Sequence, residues 1–391
     1  MTETPSESAR FLLRNVVDAL PEGELERMLA SGRRLRVKLG IDPTAPDIHL
    51  GHVVVLHKLR EFQDLGHLVV LIIGDYTARV GDPSGRSATR PQLDPAEIDA
   101  HAETFQRQAS AVLDPERTEV RRNGEWLAME MEHLFRLART STVAQLLERD
   151  DFEKRYRAGE PISILELLYP LLQGYDSVAV KADVELGGTE QKFNLLLARD
   201  IQQAYGVDPQ SVVTLPILPG IDGEQRMSKS LGNYVGVTEA PEEMFGKLMR
   251  VPDAAMPVYY GLLLDEPFDP ARPAVESKRL MARLLVERFH GREAGSAAER
   301  HFDTLHVERT LPDEIEEAEL PAVEQVHLPR LISEHFGVSS SEGRRLIAQG
   351  GVKIDGEPLS NGELDVPAAS LDGAVIQLGK RRFKRFRLPR T

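Results

Sequence analysis

Between Arg34 and Gly74 the chain reads RLRVKLGIDPTAPDIHLGHVVVLHKLREFQDLGHLVVLIIG. Arg34–Ile41 alternates basic and apolar residues, the period-two pattern of a strand. His52–Gln63 spaces Val55, Leu56, Leu59 and Phe62 along one face of a helix. Leu68–Gly74 is apolar without interruption, as in a strand buried on both faces. Strand, helix and strand in one short stretch predict a parallel βαβ unit, hence an α/β fold.

Further along, Val212–Leu218 (VVTLPIL) reads as another buried strand. The stretch from about Asp94 to Leu172 reads as mostly helical. So does Glu239–Leu311, where LMARLLVERFHG (Leu280–Gly291) is strongly periodic and stops at a glycine. The expected organisation is an α/β domain over residues 1–235 with a helical insertion at about 94–165. An α-helical domain over 236–310, an acidic linker over 311–325 and a small basic domain over 326–391 follow.

The chain has 391 residues, 41% of them hydrophobic and 28% charged, which excludes a disordered chain or a fibrous repeat. It has no cysteine, which rules out disulfides, thiolate nucleophiles and thiolate-bound zinc. The apolar runs are far shorter than the roughly 18 residues of a membrane span. The opening MTETPSESAR lacks the basic-then-apolar order of a secretory signal, so a cytoplasmic protein is expected. The net charge of −14 is unevenly spread. From Val326 onward there are 11 basic and 7 acidic residues, a balance of +4. The preceding LPDEIEEAELPAVEQ (Leu311–Gln325) is acidic and proline-bearing. A basic tail on an acidic body suits a polyanion partner, though a solvated basic face would read the same way.

Two strings carry chemistry. In IDPTAPDIHLGH (Ile41–His52) a strand ends, two prolines stiffen the loop, and a helix starts near His49. Helix-start N–H groups favour anions. His49 and His52, three apart, share a face, and Gly51 permits close approach of a ligand. With Thr44 they make a donor cluster suited to a phosphate chain. GEQRMSKSLGN (Gly223–Asn233) follows the VVTLPIL strand and combines flexible small residues with Arg226 and Lys229, cations that can neutralise developing phosphate charge. Alone, the first would pass for a capped helix and the second for a solvated loop.

Together, HLGH and RMSKS resemble the HIGH and KMSKS signatures of class I aminoacyl-tRNA synthetases, with Leu50 for isoleucine and Arg226 for lysine. The resemblance implies a doubly wound, Rossmann-like parallel-sheet domain holding ATP between the signatures. It implies attack of an amino-acid carboxylate on the α-phosphate with loss of pyrophosphate, by positioning and charge rather than through a covalent enzyme intermediate. Thr44, His49, His52, Arg226 and Lys229 are then the catalytic residues. Gly40, Asp42, Gly51, Arg86, Gly188, Glu190 and Gln191, with Lys229, hold ATP and the adenylate. Mg2+ is expected to accompany ATP, with no dedicated protein metal site.

YPLLQGYD places Tyr169, Gln173 and Asp176 along one helical face of the otherwise apolar ISILELLYPLL region. Buried polar groups need partners, and a small polar ligand would supply them. The segment resembles the tyrosine-binding helix of tyrosyl-tRNA synthetases, which implies that Asp176 reads the substrate phenol and that Tyr169 and Gln173 hold its ammonium. GDPSGR (Gly81–Arg86) resembles the family loop whose aspartate, here Asp82, also binds the ammonium. GGTEQ (Gly187–Gln191) resembles the adenylate loop. Two positions depart from the pattern. Lys38 stands where many bacterial members carry a phenol-binding tyrosine, and Glu190 where aspartate is usual. Both, with PTAPDIHLGH, look like a second, divergent bacterial branch. Tyrosine specificity is expected to survive with another group beside Asp176.

The tail VHLPRLISEHFGVSSSEGRRLIAQGGVKIDGEPLS (Val326–Ser360) resembles the S4 RNA-binding domain, a small α+β fold, with a hairpin across Asp355–Gly356. In KRRFKRFR (Lys380–Arg387) both phenylalanines are expected in the core. Arg344, Arg345, Lys353, Arg381, Arg382, Lys384 and Arg385 are expected to face RNA. The family implies L-tyrosine, ATP and tRNA(Tyr) as partners. It also implies a homodimer, for which the helical insertion before Tyr169 is the place to look, and no membrane. Two other readings are a tryptophanyl enzyme and a non-catalytic RNA-binding protein on a synthetase scaffold.

Overall fold

The computed structural model describes residues 5–43, 47–83, 94–306, 315–359, 364–379 and 382–389. Thr44, Arg86 and Arg381 lie outside them. The chain divides into two units, Met1–Ala298 and Glu299–Thr391.

In the first unit, six strands form one sheet: β1 (Asp18–Leu20), β2 (Arg36–Ile41), β3 (Leu68–Ile73), β4 (Thr118–Arg122), β5 (Val184–Gly188) and β6 (Ser211–Leu215). Their order is β1-β6-β5-β2-β3-β4. All pairs are parallel except β1 against β6. Val69–Ile73 and Val212–Val213 are buried throughout, as uninterrupted apolar strands require. The Leu50–Asp64 helix covers them with Val53, Val54, Leu56, Leu59 and Phe62. Each such side chain contributes about 1.5–3 kcal/mol by leaving water. The chain steps outward from β2 through β3 to β4, then returns to lay β5 on the other side of β2. That reversal makes the carboxyl ends of β2 and β5 the place where ligands bind in such sheets.

The expected helical insertion holds a strand. β4 (TEVRR) pairs with β3 as the sheet's edge, and each of its residues is half-buried. Its charges are satisfied locally: Arg121 pairs with Glu119 and Glu125, and Arg122 with Asp99. An edge strand that keeps its side chains wet carries little apolar pattern.

Helices occupy much of residues 241–306. Among the described residues, no helix is long and apolar enough to cross a membrane.

The second unit builds a five-stranded sheet, order β10-β9-β12-β13-β7, and a separate pair of β8 with β11. The strands are β7 (Glu317–Glu319), β8 (Gln325–His327), β9 (Val352–Ile354), β10 (Glu357–Pro358), β11 (Asp365–Pro367), β12 (Val375–Leu378) and β13 (Arg382–Arg387). Helices Leu328–Phe336 and Ser340–Ala348 pack together, and Leu331, Ile332 and Ile347 share a core with Val352, Ile376, Leu378 and Phe386. The hairpin falls across Asp355 and Gly356, both at positive φ (49° and 86°), as its two-residue turn demands.

The expected linker is partly sheet. Its EAE run is β7, parallel to β13 and facing Arg385 and Arg387. Glu316 pairs with Lys384 and Glu317 with Arg387. The acidic stretch is the electrostatic complement of the basic last strand, and part of the tail's positive charge is neutralised inside the unit.

Candidate active site

The first unit contains a cavity of about 510 Å³ at the carboxyl ends of β2, β3, β5 and β6. His49 caps the Leu50–Asp64 helix: its Nδ1 accepts the Gly51 N–H at 3.1 Å. His52 closes the box by accepting the His49 N–H on its own Nδ1 at 3.2 Å. With both Nδ1 atoms used as acceptors, the proton of each neutral ring sits on Nε2, leaving a donor. Burial first, then His52 and Lys229 beside His49 and Lys229 beside His52, pushes His49 down to about 2 and His52 to about 4, so both are neutral at working pH. A Cβ on Gly51 would lie 2.9 Å from the His49 ring, so only glycine lets the capping ring fold back.

Backbone pairing joins the first signature string to the segment that follows the second. Leu50 N–H donates to the Val235 carbonyl and Val237 N–H to that of Ile48, at 3.0 Å each. Lys229 Nζ donates to the Asp47 carbonyl at 2.7 Å, and Arg226 lines the cavity. The loop is pinned by Asn233, whose side chain accepts the Ser228 N–H at 2.8 Å and donates to Asp222 at 2.6 Å. Asp47 is held by Gln108 and Thr238. None of these supporting residues stands out in sequence, because each acts through a partner distant along the chain or through a turn.

At the other end of the cavity the Ile164–Val180 helix presents Tyr169, Gln173 and Asp176. Its start is fixed by a capping box, Ser163 with Glu166, and by the Arg155–Glu166 pair at 2.8 Å. The Tyr169 hydroxyl donates to Asp42 at 3.0 Å, and Thr77 donates to the same carboxylate at 2.7 Å. Burial drives the Asp42 carboxyl up to about 7. Asp82 accepts from Gln191 at 2.8 Å, and Gln173 from Asn194 at 2.7 Å. Arg149, from the insertion, donates to Asn194 at 3.0 Å and lies 3.6 Å from Asp82. Gly40, Gly188 and Glu190 also line the cavity. The described catalytic and substrate residues expected from the sequence therefore meet in one place.

Asp176 is 3% exposed and accepts from Trp126 Nε1 at 2.8 Å and from Asn123 Nδ2 at 3.3 Å. Burial pushes its carboxyl up to about 6, against the pull of the Lys38 ammonium and these two donors. Sequence reading missed both donors because it missed β4: Asn123 follows that strand directly, at a carboxyl end where ligand-binding residues gather.

In the second unit Arg344 and Arg345 are exposed on the Ser340–Ala348 helix. Phe383 and Phe386, an odd number apart, lie on opposite faces of β13. Only Phe386 is core. Phe383 is half-buried on the outer face, opposite Gln377, which is itself opposite Lys353. Arg385 shares that face. Arg382 and Lys384 lie on the Phe386 side: Arg382 donates to the Phe336 carbonyl at 2.9 Å, and Lys384 pairs with Glu316.

A family model for class I tRNA synthetases (W and Y) matches residues 30–307. The chain is 50% identical to the tyrosine–tRNA ligase of Moorella thermoacetica, over 96% of this chain and 94% of that protein. It is 49% identical to that of Thermotoga maritima, over 98% of each. It is 48% identical to tyrosine–tRNA ligase 2 of Vibrio cholerae, over 95% and 96%. Among solved structures, a C-terminally truncated mitochondrial tyrosyl-tRNA synthetase of Aspergillus nidulans superposes with a TM-score of 0.66 at 21% identity, over 78% of this chain and 94% of that one.

Proposed function

The chain belongs to the class I tRNA synthetases of the tryptophan and tyrosine family, and on that premise we infer that it is a tyrosine–tRNA ligase. It activates L-tyrosine with ATP, releasing pyrophosphate, and transfers the tyrosine to tRNA. The observation that carries a donor-bearing aromatic substrate is the buried carboxylate of Asp176 at the end of the Tyr169–Gln173–Asp176 face, and the relatives named above favour tyrosine over tryptophan. A carboxylate accepts a phenolic O–H, and Trp126 and Asn123 already hold one lone pair on each of its two oxygens.

In this reading Asp82, Tyr169 and Gln173 surround the tyrosine ammonium. The Nε2–H groups of His49 and His52, with Lys229 and Arg226, face the phosphates, where negative charge builds as pyrophosphate departs. Neutral histidines suit this role: they donate hydrogen bonds without titrating. Gly188, Glu190 and Gln191 hold the adenosine side, and Mg2+ enters with ATP. The second unit grips tRNA(Tyr), with Arg344 and Arg345 best placed for phosphates. The protein works in the cytoplasm.

The decisive assay is ATP–pyrophosphate exchange with each of the twenty amino acids, tRNA omitted. Exchange with tyrosine alone is expected. Exchange with tryptophan instead would overturn the role of Asp176, and exchange with none would favour the non-catalytic scaffold.

The homodimer reading rests on the insertion. The Met131–Ala138 helix packs against the Ile164–Val180 helix. Met131, Phe135, Ile164 and Leu165 stay exposed there, Ile164 by 79%. An apolar face of this kind marks an interface, and a self-complementary one closes as a two-fold dimer. Light scattering at micromolar concentration is expected to give twice the chain mass, and Ile164→Asp to give a monomer. A monomeric wild type would refute the reading.

A further inference from the structure

Lys38, which the resemblance sets against a phenol-binding tyrosine, is fully buried and is not among the residues lining the cavity. Its ammonium has three N–H groups, and all three are taken. They go to Ser177 Oγ at 2.7 Å, Glu185 Oε1 at 2.9 Å and the Gln173 carbonyl at 3.2 Å. Glu185 lines the cavity wall, yet both its oxygens are taken: Oε1 by Lys38, and Oε2 by Ser177 at 2.9 Å and by Gln210 Nε2. No donor is left for a substrate hydroxyl. Two of the three Lys38 partners, Gln173 and Ser177, bracket Asp176 on the same helix.

We propose that Lys38, held in place by Glu185, is a positioning residue for tyrosine selection: it anchors the Gln173–Ser177 turn and supplies the positive charge that balances Asp176, without touching the substrate. This deepens the tyrosine–tRNA ligase reading and rests on it. The charge argument agrees with the surroundings of Asp176. Lys38 from β2 favours its ionised form, and Glu185 from β5 opposes it less strongly. Trp126 and Asn123 add neutral donors, and Asp176 in turn faces Asp42 and Tyr169. A buried pair of this kind is costly to break on one side only.

The test is the ratio of kcat/KM for tyrosine over phenylalanine in pyrophosphate exchange, followed from pH 5 to 8. Only the phenol distinguishes the two substrates, so titrations that affect both alike, such as that of Asp42, cancel. In the wild type the ratio is expected to fall below about pH 6 as Asp176 protonates. Lys38→Met should move that midpoint up by about one pH unit, and Glu185→Gln should move it down. A purely structural role would not move it in opposite directions. If a single variant fails to fold, the neutral double variant Lys38→Met/Glu185→Gln carries the test, with a midpoint above wild type because Lys38 outweighs Glu185. Midpoints that stay put, or move together in the two single variants, overturn the proposal. A wild type that does not activate tyrosine overturns the ligase reading instead.

Discussion

Lys229→Ala is expected to slow tyrosine-dependent pyrophosphate exchange by about 10²–10³-fold, the usual cost of removing one preorganised donor from a developing charge. The loss should fall on kcat. The tyrosine KM should change little, because the proposed tyrosine ligands come from the Ile164–Val180 helix and Asp82, not from this loop. Lys229 donates to the Asp47 backbone carbonyl at 2.7 Å, and the nearby Asp47 carboxylate supports its charge. Burial lowers the pKa of its ammonium, so the group is already partly desolvated where the phosphates would lie. Steady-state exchange with varied ATP and tyrosine separates the two effects. Unchanged kcat would remove Lys229 from the chemistry.

The sequence made this site legible unevenly, for physical reasons. His49 with His52, and Arg226 with Lys229, are visible because each pair of the proposed phosphate site lies within one short string. Tyr169, Gln173 and Asp176 are visible because one helix repeats its face. Asn123, Trp126, Asn194 and Arg149 are different: each acts on a group far along the chain, and only the fold brings them together. Lys38 shows the limit most clearly. Its identity flags a departure, but that its three donors are spent inward depends on Ser177, Glu185 and Gln173 meeting around it.

The same holds for charge. Composition reads the acidic stretch before the tail as a linker, and its true partner is β13. Its acids face Arg385 and Arg387, while Ala318 packs toward the core between them. Composition counts every cation of KRRFKRFR alike, whereas a strand sends alternate side chains to opposite faces. Lys384 is thereby spent on Glu316, while Arg382 is tethered by one N–H to the Phe336 carbonyl on the Phe386 side and keeps its charge. Arg344, Arg345, Lys353 and Arg385 are the better-placed candidates for the proposed RNA contacts among the described residues.

That structure also says where to cut the chain. Truncation from Val326, the boundary suggested by composition, would strip β7 of its partner β13 and uncover Leu320, which is 3% exposed. Truncation from Leu311 removes the whole five-stranded sheet and leaves the Arg292–His306 helix entire. The shorter protein is expected to keep pyrophosphate exchange within about two-fold, since the cavity is lined wholly by residues of the first unit. Aminoacylation of tRNA(Tyr) should fall by about 10²-fold or more in kcat/KM. Losing two charge-assisted phosphate contacts at roughly 1.5 kcal/mol each already costs that much. Because such contacts release counterions, the full chain's KM for tRNA should rise steeply with salt, and that of the truncated chain should rise less. Aminoacylation at the full-length rate by the chain ending at residue 310 would show that the second unit does not hold the tRNA. A parallel loss of exchange would show instead that the cut had damaged the first unit, and the two assays run on one preparation distinguish these results.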